Sequence, residues 1–105
     1  NEHDFTLFEY FLTDAAGHKG NAEFTRQVLD EVDALLCGVI DGTDLSESLI
    51  LTTSDHGNVE DTSAKGHTLN PVPTLLIGAG REKIASRIHT LTDLTPAIVD
   101  WLLEK

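Results

Sequence analysis

Residues Ala22 to Asp41 read AEFTRQVLDEVDALLCGVID, and Ser48 to Thr53 read SLILTT. In the first stretch Phe24, Val28, Val32, Leu35, Leu36 and Val39 recur at three- and four-residue steps, which puts them on one face of a helix. Glu23, Arg26, Asp30, Glu31 and Asp33 fall largely on the other, solvated face. Asn21 suits an N-cap and Gly42 a stop, so the helix is expected from Ala22 to Asp41. Cys37, inside this helix beside Leu36, is expected to be a packed thiol. The second stretch is a short apolar run and reads as a buried strand.

Towards the N-terminus, Leu7 to Thr13 (LFEYFLT) reads as another buried strand, and Asp14 to Asn21 (DAAGHKGN), with two glycines, as a loop. Strand, helix and strand make a βαβ unit, which predicts parallel pairing and a right-handed crossover. Towards the C-terminus, Ser54 to Pro71 is a long polar loop, and loops beyond about 12–15 residues are usually functional or disordered. Val72 to Ile77 is a third apolar run, with Pro73 marking an edge or an unpaired start. Gly78-Ala79-Gly80 ends it; without GxGxxG or a P-loop lysine it reads as a turn. Thr92 or Asp93 can cap a last helix with Pro96 in its first turn and Leu94, Ile98, Trp101 and Leu102 as its buried stripe. The expected fold is α/β: a small, mainly parallel sheet with flanking helices, forming a single domain over 1–105 with no internal repeat.

The chain has 105 residues, enough for one core. Apolar residues make up 40% and charged residues 24%, a globular balance. The net charge of -11 repels phosphate backbones and anionic lipid, so neither nucleic acid nor membrane is an expected partner, whereas divalent cations are suited to it. No apolar run approaches the roughly 20 residues of a membrane helix, and no signal-peptide pattern is present. A single cysteine excludes an internal disulfide and fits a reducing compartment, so a cytoplasmic location is expected. There is no methionine, and the chain is expected to be a piece of a longer protein.

Five histidines are present: His3, His18, His56, His67 and His89. His3 and His89 read as ordinary surface residues. His18 follows Asp14 by four residues, His56 directly follows Asp55, and His67 lies in the same long loop. Carboxylate and imidazole without thiolate point to a catalytic rather than a structural metal site. Asp14 and Asp55 each follow an expected strand. If those strands are parallel neighbours, both acids emerge at the carboxyl edge where open α/β sheets bind ligands, and the His67 loop leaves from that same edge. The third strand then starts where the others end, and is expected to be antiparallel. Each residue also has a plainer reading: Asp and Gly after a strand are common turn formers. Their coincidence at one edge is what favours a shared metal site.

Thr53-Ser54-Asp55-His56-Gly57-Asn58-Val59-Glu60, followed by His67-Thr68-Leu69-Asn70-Pro71-Val72-Pro73, closely resembles the cofactor-independent phosphoglycerate mutases. Asp14-Ala15-Ala16-Gly17-His18 is similar to the first C-terminal metal motif of that family, and Asp93-Leu94-Thr95-Pro96 to the closing segment of its superfamily, which also holds phosphopentomutases, alkaline phosphatases and sulfatases. The resemblance implies an alkaline phosphatase-like core fragment. It also implies that Asp14, His18 and His67 bind one metal, and that Asp55 and His56 contribute to a second. The nucleophilic Ser or Thr and the remaining ligands are then expected upstream, so no catalytic residue is assigned within these 105 residues.

The parent implied is a di-metal phosphomutase or phosphatase, an isomerase or hydrolase using manganese or zinc on a phosphorylated small molecule. The chain would be its C-terminal metal-binding fragment, holding at most one ion and inactive without the N-terminal part of the same protein. A sulfatase-like or phosphodiesterase hydrolase of the same superfamily, or a non-catalytic α/β interaction domain, is the alternative.

Overall fold

A computed structural model describes residues 3–104. The order of elements is α1 (Leu12–Lys19), α2 (Ala22–Asp41), β1 (Leu49–Thr52), β2 (Leu75–Gly78), α3 (Arg81–Ala85), a 3₁₀ turn (Leu91–Asp93) and α4 (Leu94–Leu103). They fall into two compact units. One holds Phe8–Thr43 and Thr53–Thr74; the other holds Asp44–Thr52 with the described residues up to Leu7 and from Leu75.

In the first unit α1 packs against α2, and Ala16 and Val28 are almost wholly buried. Helix α2 has the expected bounds, and its first free amide is satisfied as expected: the Phe24 N–H donates to Asn21 Oδ1 at 3.0 Å. Its buried stripe is rotated by about one residue from the expected one. Thr25, Val28, Val32, Leu36 and Ile40 face inward, while Leu35 and Val39 are exposed. Cys37 stands about 100° around the helix from Leu36 and is exposed, which corrects the expected packed thiol.

The expected strand at Leu7–Thr13 is not formed. Leu12 and Thr13 open α1, and residues 7–11 belong to no strand, with Leu7, Phe8 and Phe11 exposed. An apolar run signals a tendency to burial, but a strand also needs a neighbour for its N–H and C=O groups, and that neighbour is not visible in the run itself. The loop expected at Asp14–Asn21 is α1 instead. Its two glycines do not break it: Gly17 is buried inside the helix, and Gly20, at φ 58°, forms the left-handed C-cap, its N–H donating to the Ala16 and Gly17 carbonyls.

The second unit holds the sheet. β1 and β2 pair antiparallel with Leu49 opposite Gly78 and Thr52 opposite Leu75. β2 begins at Leu75 rather than Val72, as Pro73 has no N–H to give a ladder. Antiparallel pairing of the third apolar run matches expectation; parallel pairing of the first two does not, since the first is not a strand. Among the described residues the protein is therefore a mixed helix and strand chain with a two-stranded antiparallel sheet, and the mainly parallel sheet of an alkaline phosphatase-like core is not seen. Ile84 of α3 and Ala97 of α4 form the buried centre of this unit. The Asp93 carboxylate caps the 3₁₀ turn, accepting from the His89 and Thr90 N–H groups at 2.9 and 2.8 Å. No helix among the described residues is long and apolar enough to cross a membrane.

Candidate metal centre

All five expected ligands lie in the first unit. Helix α1 carries Asp14 and His18 one turn apart, which brings the His18 Nε2 to 3.4 Å from Asp14 Oδ1. The His67 Nε2 lies 3.2 Å from the same oxygen and the His56 Nε2 3.8 Å. His56 also stands 3.5 Å from Asp55 Oδ1. Three imidazole nitrogens thus converge on one carboxylate oxygen, with Asp55 at the rim and largely exposed. His56 and His67 are stacked, ring centroids 3.5 Å apart and 14° from parallel, and His18 is tilted against His67 at 5.4 Å.

Asp14, His56 and His67 offer ligand atoms all within 4.8 Å of one another. Two ligand atoms on a tetrahedral ion with bonds of about 2.0–2.1 Å stand about 3.3 Å apart. The Asp14–His67 and Asp14–His18 separations match that spacing, and Asp14–His56 is looser. The donor set, imidazole and carboxylate without thiolate, suits zinc, manganese and iron.

The local folding that builds this cluster centres on Asn58, a nearly fully buried side chain. Its Nδ2 donates to Asp14 Oδ1 at 3.0 Å and to the Asp14 carbonyl at 3.3 Å. It packs so closely on α1 that a Cβ at position 17 would lie 2.4 Å from it, which is why a glycine stands there. The Asn58 amide, with His18, His67 and His56 adding their attraction, holds the Asp14 carboxyl below the usual range of aspartate.

Further along the loop, the Asn58 N–H donates to Glu60 Oε2 at 2.6 Å, and Thr68 Oγ1 and Asn70 Nδ2 donate to Glu60 Oε1, the latter at 3.0 Å. These donors, with the Thr68 hydroxyl foremost, hold the Glu60 carboxyl down to about 2. Asn58, Glu60, Thr68 and Asn70 stand in the motifs by sequence, but their roles rest on contacts across the chain that spacing does not announce. His3 and His89 are exposed.

A family model described as the metalloenzyme superfamily matches residues 1–104, and the chain belongs to that superfamily. Its relatives are more particular. It is 34% identical over 108 residues to the 2,3-bisphosphoglycerate-independent phosphoglycerate mutase of Acetivibrio thermocellus, covering 96% of this chain and 21% of that one. The enzyme of the same name from Antithamnion sp. is 31% identical, covering 95% and 21%, and that of Pyrococcus abyssi 32% identical, covering 75% and 19%. The chain therefore spans about a fifth of the length of these relatives, and matches their C-terminal part. No solved structure matches it.

Proposed function

We propose that the chain is the C-terminal metal-binding portion of a di-metal phosphoryl-transfer enzyme, a phosphoglycerate mutase-like phosphomutase or phosphatase acting on a phosphorylated small molecule. The observation that carries this is the convergence of three imidazole nitrogens on Asp14 Oδ1. In this reading Asp14, His18 and His67 hold one divalent ion, manganese or zinc, and Asp55 and His56 contribute to a second. Divalent ions in such a pair clamp a phosphoryl group, offset its charge and activate an oxygen nucleophile. The residues present would fix ligand geometry and orient the imidazoles. The nucleophile and the remaining ligands of the second site would come from upstream sequence.

A second assignment, Asp14 with His56 and His67, is favoured by the mutual proximity of those three ligand atoms. Titration calorimetry with Mn²⁺ or Zn²⁺ on the wild type and on His18→Ala, His67→Ala and His56→Ala separates the two. The first reading expects at most one ion per chain, with binding largely lost in the first two variants and reduced less in the third. Greatest damage from His56→Ala selects the second assignment, and a wild type that binds no ion at millimolar metal defeats both.

A further inference from the structure

The ligands His56 and His67 stand far apart along a loop with almost no regular structure, yet their rings stack at 3.5 Å. A single isolated bridge joins the residues that follow them: Gly57 pairs with Thr68, whose N–H donates to the Gly57 carbonyl at 2.8 Å. One such bridge is weak pinning for two metal ligands. Glu60 lies across it. One carboxylate oxygen takes the Asn58 N–H on the His56 side, and the other takes the Thr68 hydroxyl and the Asn70 amide on the His67 side. The fit leaves no spare room, since a Cβ on Gly57 would come within 2.2 Å of Thr68 Oγ1 and 2.6 Å of Glu60 Oε1. Through Asn58, whose side chain donates to Asp14 Oδ1, the same carboxylate is linked to the hub of the cluster. None of its three partners is itself an expected ligand.

We infer that Glu60 is the positioning residue of the metal centre, setting the separation of His56 and His67 and, through Asn58, the place of Asp14. This rests on the metal-binding reading given above. Asn58 is an outer partner of Asp14, and loss of such partners typically alters affinity by about 10–100-fold. Glu60 acts on it through the Asn58 N–H, and three donors converging on one carboxylate leave few ways to compensate.

The test is Glu60→Gln in the 105-residue chain. Its Oε1 can still accept from Thr68 and Asn70, but its NH₂ meets the Asn58 N–H, donor against donor. Two measurements are made: the histidine ring shifts by NMR without metal, and Co²⁺ binding with its visible spectrum. In Glu60→Gln the His56 and His67 ring shifts should move while that of His89 stays, Co²⁺ affinity should fall at least tenfold, and the Co²⁺ bands should change shape. Thr68→Val, which removes one donor and keeps the bulk, should show the same changes to a smaller degree and covers the case in which Glu60→Gln does not fold. Unchanged ring shifts in either folded variant overturn the inference, as does Co²⁺ affinity within twofold of wild type. A wild type that binds no Co²⁺ overturns the metal reading instead, and the ring shifts without metal still decide whether Glu60 sets the geometry.

Discussion

Asp14 and Glu60 are the two carboxylates on which the loop chemistry turns, and their surroundings make them acidic for the same reason: each accepts hydrogen bonds that only the ionised form can use fully. For Glu60 the folded value is about 2 against an ordinary 4.5, so the unfolded chain binds the proton more readily. Its stabilisation is therefore complete above pH 4.5 and is lost as pH falls towards 2. Urea midpoints of wild type and Glu60→Gln, measured across that window, should converge as pH drops; a constant gap would show that the Glu60 contacts do not form in solution. Gly17 makes a sharper structural demand. Gly17→Ala forces a Cβ into Asn58, and overpacking of this kind costs about 1–3 kcal/mol, read as a lower urea midpoint. The same variant should weaken metal binding, because Asn58 would be pushed off Asp14.

At the scale of elements, what could be read from the sequence was what local rules decide. Helix α2 was legible because its period, its Asn21 cap and its Gly42 stop all lie within one stretch. Asn21→Ala should cost about 1 kcal/mol in thermal or chemical unfolding, with little change in helix content elsewhere. Helix α1 was not legible, because Gly17 looks like a breaker until Asn58, distant in sequence, is seen filling the space its missing side chain leaves. The apolar run at Leu7–Thr13 misled for a related reason: burial tendency is local, and strand pairing is not. The candidate ligands stand close together in the structure, although the elements that carry them differ from those expected. Asp14, His18, Asp55, His56 and His67 were marked by residue type in polar segments, although Asp14 reaches the cluster from a helix rather than from a strand end. Asn58 and Glu60 were hidden, since a polar residue in a loop looks alike whether it faces water or holds a neighbour in place.

For the molecule as a whole, net charge and site point the same way. A chain with a net charge of -11 and a cluster of imidazoles around one carboxylate gains from a bound dication. Protons compete with metal for an imidazole nitrogen, so affinity should fall as the solution is acidified, as followed by calorimetry at each pH. On the proposed function, the 105 residues alone should not hydrolyse a simple phosphate ester; turnover abolished by Asp55→Asn would contradict the assignment of the nucleophile to upstream sequence. The most direct test of the central claim, that Asp14 is the hub of a divalent metal site, is Zn²⁺ titration of the wild type and Asp14→Ala at pH 7. One ion should bind per wild-type chain, with no saturable binding in the variant. Equal affinity and stoichiometry in the two would contradict it.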